Sequence, residues 1–285
     1  MINYPLALGA ITLVAAFVNG ALGYGFSSIT VPLALLFVTN RVLNPALVPI
    51  EVVLNVYVLW TNRAALPRVW RRVTAVAIGL APGIAVGTLI VARVDQAALK
   101  LGTFVVLLPL ILLQAAGYRR PLHAERSAGF AFGTAIGLLY SVTTISGPPL
   151  AFALNNQGLS KPEFRAALGL VRLIESTVAV GAYVAAGLFT APSIAVIPLI
   201  LPSVAIGVPI GALAIRHMAP EMFRRICMSF DAWVVSFGIS TLLRQRHVIE
   251  SVAAYLVMAT VILIDGWLLY RFVSTARRAE VICAA

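Results

Sequence analysis

The chain has 285 residues, 61% of them hydrophobic and only 11% charged, with a mean hydropathy of +0.98 and a formal net charge of +11. A water-soluble domain carries about 25% charged residues because its surface must face water, so this composition excludes one and places the chain in a lipid bilayer. The positive charge does not indicate a nucleic-acid partner, because the basic residues lie in short gaps between apolar stretches rather than on a soluble module.

A helix that crosses the hydrocarbon core needs about 20 mostly apolar residues. The chain opens with a stretch of different character, 6–38, which is over thirty residues long and carries a polar, glycine-rich break from Asn19 to Ser28. The amino-terminus lacks the positive region of a signal peptide, so this stretch is expected to belong to the mature fold. Ordinary spans follow at 46–62, 73–92 and 97–116. A second long, broken stretch occupies 127–158, with its break from Tyr140 to Pro149. Four more spans lie at 163–187, 192–215, 222–243 and 248–270. Each broken stretch reads as two half-helices of about 15 residues, about 20 Å each, forming a hairpin that enters the membrane and returns.

The lysines and arginines test that reading. If all nine stretches crossed once from an inside amino-terminus, nine basic residues would face the cytoplasm and eleven the outside, against the positive-inside rule. If 127–158 returns to its starting side, the balance becomes fifteen inside to five outside. Charge leaves 6–38 undecided, because nothing charged precedes it. Internal symmetry bears on it. Gly20, Pro32, Leu33 and Pro45 recur 117 positions later as Gly137, Pro149, Leu150 and Pro162, and Gly83 and Gly87 recur 124 positions later as Gly207 and Gly211. With both broken stretches as hairpins each half crosses three times, and an odd number inverts the second copy. The expected fold is therefore an all-α polytopic membrane protein of two inverted repeats, 1–117 and 118–245. Each repeat has one broken or re-entrant element plus three transmembrane helices, and an extra transmembrane helix and tail occupy 246–285. Such transporters bind substrate near the midplane at discontinuous helices.

Half-helix amino-termini expose free N–H groups and a positive dipole end, so the breaks suit an anion. The candidates for substrate binding are Gly23, Gly25, Ser27 and Ser28 in the first break, and Thr143, Thr144, Ser146 and Gly147 in the second. The competing reading is that these small residues only let helices pack closely, which is the default for Gly83-x-x-x-Gly87 and Gly207-x-x-x-Gly211. Arg172 lies nine positions into its span, where an arginine costs about 2.5–3.5 kcal/mol or more. Glu175 is three residues on and Arg165 seven back, all on one helical face. Either Arg172 and Glu175 form a structural ion pair, or Arg165 draws in an anion that Arg172 receives, with Glu175 as counter-charge or proton carrier. Glu51 and Asp231, each one to two turns inside a span, are further candidates for carrying a coupling proton, or for capping a neighbouring helix. Asp265 is given a structural role.

Catalysis finds no support in these residues. His123, His217 and His247 all fall in connecting segments, and no H-E-x-x-H or G-x-S-x-G motif occurs. Cys227 and Cys283 are too few for a disulfide framework or a metal cluster, and no cofactor is expected. The classes left open beside a carrier are a passive anion channel and, more remotely, an intramembrane hydrolase.

Thr144-Ile-Ser-Gly-Pro-Pro-Leu150, followed by Gln157-Gly-Leu-Ser-Lys-Pro-Glu-Phe-Arg-Ala166, closely resembles the second-half signature of the sulfite exporter TauE/SafE family. Gly23-Tyr-Gly-Phe-Ser27 ahead of Pro32-Leu33 resembles its first-half motif, with Phe26 and Ser27 where glycines are usual. The resemblance implies a bacterial inner-membrane permease for small sulfur-containing anions such as sulfite, thiosulfate or sulfoacetate. Family members are mostly described as exporters, and some are thought to import. It also implies inverted repeats with the signatures near the path. The partners expected are thus the small anion, a coupling proton and the lipid bilayer.

Overall fold

A computed structural model describes residues 4–116, 126–155, 159–214, 220–245, 249 and 252–284. The three histidines and the signature residues Gln157 and Gly158 lie outside the described residues, as does the side chain of Asp231. Every regular element among the described residues is helical. In chain order these are α1 (Tyr4–Leu22), α2 (Phe26–Ala34), α3 (Asn40–Thr61), α4 (Leu66–Arg93), α5 (Gln96–Ala115) and α6 (Arg126–Thr143). Then come α7 (Gly147–Asn155), α8 (Lys161–Ala185), α9 (Ala191–Ala214), α10 (Pro220–Gln245) and α11 (Leu256–Ala284). Single 3-10 turns precede α4 and α11.

Among the described residues, seven helices are long and apolar enough to cross a membrane: α1, α3, α4, α5, α8, α9 and α11. Large side chains such as Ile78, Ile206, Leu213 and Leu263 stand exposed along them, as suits helices solvated by lipid. Both broken stretches are confirmed as pairs of helices, but the halves are unequal. A helix of 19 residues precedes one of 9 in the first, and 18 precede 9 in the second. The short members rise only about 13 Å, less than half the core of about 30 Å. The break falls where glycine permits it: Gly23 at φ 83° ends α1, and Gly25 at φ 106° caps α2.

Packing follows the glycines. α1 lies along α9 and α4 along α6. A methyl group on Gly79, Gly83, Gly133 or Gly137 would strike backbone of the facing helix in the α4–α6 seam, as would one on Gly20 or Gly211 in the α1–α9 seam. Lipid supplies no hydrophobic drive between helices, so close backbone approach supplies the attraction instead. α3 packs on α8 at the centre, α2 against α10, and α7 against α5 and α8. α8 starts at a capping box in which Glu163 accepts hydrogen bonds from the backbone and hydroxyl of Ser160. α11 is held by a buried ion pair between Arg225 Nη2 and Asp265 Oδ1 at 2.8 Å. Arg225, one of the fifteen basic residues that the positive-inside balance assigns to the cytoplasmic side, is therefore consumed inside the protein.

Candidate functional site

The two breaks meet. A methyl group on Gly147 at the start of α7 would lie 3.3 Å from Cβ of Tyr24 in the first break. Glu51 is eleven residues into α3 and Arg172 eleven residues into α8, about 16 Å from either helix start and so near half the depth of a core of about 30 Å.

Glu51 is fully buried and takes three donors. Arg172 Nη2 reaches its Oε1 at 2.9 Å, the Tyr140 hydroxyl donates to Oε2 at 2.6 Å, and Ser27 Oγ, in the first turn of α2, donates to Oε1. Glu175, also fully buried, accepts a hydrogen bond from Ser146 Oγ, the residue just before α7. The positive ends of the two short helices, expected to wait for an anion, are thus each met by a carboxylate of the protein itself. Glu51 and Glu175 are 124 positions apart, the same offset that relates Gly83 to Gly207. Arg172 pairs with Glu51, 121 residues away, and not with Glu175 on its own helix. Its Nε and Glu175 Oε1 are both buried without a hydrogen-bond partner. If all three side chains are ionised, the cluster holds two negative charges against one positive.

The other candidates sort into supports. The last carbonyls of α6 lack helical partners, as at any helix end, and side chains satisfy them. Tyr183 donates to Ser141 O, Asn44 Nδ2 to Val142 O at 2.8 Å, and Thr144 Oγ1 to Thr143 O at 2.7 Å. Thr143 Oγ1 donates to Leu139 O at 2.7 Å and accepts from Ile145 N. Thr144 itself takes φ 55°, a left-handed conformation. Both threonine hydroxyls are therefore engaged in closing the break. Arg165 donates to Ala21 O at 3.1 Å and its stem lies 3.8 Å from where a Gly23 methyl would be. It caps the carboxyl end of α1, where a cation complements the dipole. Ser28 is buried beside Ser27 but bonds to neither carboxylate. Tyr140, Asn44 and Tyr183 were not singled out as site residues above. Tyr140 stands in the quoted break and Asn44 precedes the repeated Pro45; no sequence signal points to Tyr183.

Buried charges at the junction of two interrupted helices, within a bundle of membrane-crossing helices, define a multi-pass membrane transport protein. The chain belongs to the sulfite exporter TauE/SafE family, whose pattern matches residues 8–238. That family comprises membrane transporters, so the chain is not an enzyme. Over 115 residues it is 36% identical to a protein of Cupriavidus necator named "Probable sulfite/organosulfonate exporter TauE". That match covers 38% of this chain and 44% of the relative, less than half its length. No solved structure matches.

Proposed function

We propose that this protein is a secondary transporter of the bacterial inner membrane that exports an accumulated small sulfur-containing anion, sulfite or an organosulfonate, down its own concentration gradient by alternating access. The relative's name supports the substrate class. One observation carries the mechanism: Glu51 occupies Arg172, Tyr140 and Ser27 together. An oxyanion would need those same donors. It would also have to enter beside two buried carboxylates, where an uncompensated negative charge costs much in a low dielectric. A proton on Glu51 releases Arg172 and offsets the incoming charge, so substrate and proton would enter together. Glu175 with Ser146 is the second proton-accepting pair, at the second short helix.

Packing supports two repeats that move against each other. Exchanging α1–α5 for α6–α10 carries the α1–α9 contact onto α6–α4, and the α2–α10 contact onto α7–α5. The α3–α8 contact maps onto itself at the centre. Transporters of that plan hold their substrate at interrupted helices near the midplane, which supports a site at the two half-helices.

Flux of sulfite and of sulfoacetate into or out of liposomes, with an imposed pH gradient, tests this. Saturable flux that accelerates when the acidic side is the one the substrate leaves from is the expected result. Ohmic, non-saturating current indifferent to the gradient would instead mean a channel.

A further inference from the structure

Between α4 and α8 runs a groove of about 680 Å³. It is walled by Pro67, Trp70, Thr74 and Ile78 of α4 and by Leu170 and Ile174 of α8. Its lining is apolar apart from Thr74, whose hydroxyl is already spent on Trp70 O at 2.8 Å. Leu66 to Ile78 is twelve residues, a rise of about 18 Å. That is close to one leaflet, half of a hydrocarbon core of about 30 Å. Arginines gather at the mouth. Arg71 shares a helical face with Pro67, Thr74 and Ile78, at spacings of four, three and seven, and its guanidinium lies 5.5 Å from the Trp70 ring centroid. Arg68 is exposed beside it and reaches Glu163 of α8 only at 3.9 Å. Arg63, stacked on Trp60 at 4.5 Å, completes the basic end.

We propose that this groove is a binding site for an anionic phospholipid. One acyl chain lies along α4 and α8, and Arg71 and Arg68 meet the headgroup phosphate. An uncharged groove would take any lipid chain; the arginines at one end select charge. Trp70 sits where an amphipathic ring belongs, at the boundary between chain and headgroup. Leu170 and Ile174 flank Arg172 on α8, and Glu175 follows Ile174, so the chain would buttress the helix that carries the buried charges. The proposal stands without any particular transported anion.

The full chain in vesicles tests it through Trp70, whose signal is isolated by subtracting that of Trp70→Phe. Phosphatidylglycerol and phosphatidylcholine with brominated chains serve as quenchers. Brominated phosphatidylglycerol should quench Trp70 at a mole fraction at least about fivefold lower than brominated phosphatidylcholine, the preference that one of the two arginines alone would give at an anionic surface. Arg68→Gln with Arg71→Gln should erase that difference, and Ala77→Phe, which fills the groove wall, should weaken quenching while both arginines remain. Equal quenching by the two lipids would overturn the proposal, leaving an ordinary lipid annulus. So would a preference that survives loss of both arginines.

Discussion

At the scale of single residues, the decisive fact is that Arg172 is paired across helices. A buried ion pair adds little net stability, but breaking one partner strands the other and costs about 3–5 kcal/mol. Arg172→Gln should therefore both stop transport and lower the unfolding temperature in detergent. Glu51→Gln combined with Arg172→Gln removes both charges. The double variant should regain most of the lost stability, because neither partner of the pair is left stranded, yet still fail to transport. Thermal unfolding and liposome flux on the same preparations separate the two effects. If flux returns with stability, the pair is scaffolding and the anion is held elsewhere. The pairing was hidden in the sequence for a physical reason. Helical spacing reveals neighbours on one helix, which is why Glu175 stood out beside Arg172, whereas Glu51 meets it only because α3 crosses α8. The signal that was there is the 124-residue offset from Glu51 to Glu175, which marks two carboxylates in equivalent places.

At the scale of elements, the first interruption was legible because glycine readily takes the backbone it needs, whereas the left-handed residue of the second is Thr144, whose type gives no such signal. Gly23 and Gly25 adopt positive φ, and the polar runs around them have no place against lipid. Their unequal halves were not legible, since hydropathy measures polarity and not where a hydrogen-bond ladder stops. The glycine seams are the other readable feature, and they make a sharp prediction. A methyl group on Gly83 would overlap the carbonyl of Thr134, whereas one on Gly102 of α5 would meet nothing within 4 Å. Gly83→Ala should cost about 1–3 kcal/mol through forced separation of α4 and α6, while Gly102→Ala should change little. The monodisperse fraction surviving a heat step in detergent reads the difference. Equal loss for both variants would mean that the α4–α6 seam is not where stability resides.

At the scale of the whole molecule, the question is whether the two halves run in opposite senses, and the stretch 6–38 decides it. α1 runs alongside α9 in the same direction, with Gly9 beside Ser203 and Gly20 beside Val208. Ser27 at the start of α2 meets Glu51 midway along α3, so α2 and α3 lie antiparallel and the turn at 35–39 sits at one membrane face. A hairpin brings that turn back to the face where α1 begins; a single crossing puts the two on opposite faces. Basic residues cannot choose, because the first of them is Arg41. Cysteines can. With Cys227 and Cys283 replaced by serine, Leu6→Cys and Phe37→Cys, both at exposed positions, should react with an impermeant maleimide from the same side of sealed vesicles. Ala186→Cys should react from that side too, and Ala64→Cys from the other, beside the arginines that precede and open α4. Were Leu6→Cys and Phe37→Cys to label from opposite sides, the first half would cross four times and the halves would be parallel. The two carboxylates would then be related by an axis along the membrane normal rather than one in the membrane plane, and the inverted-repeat plan would fall.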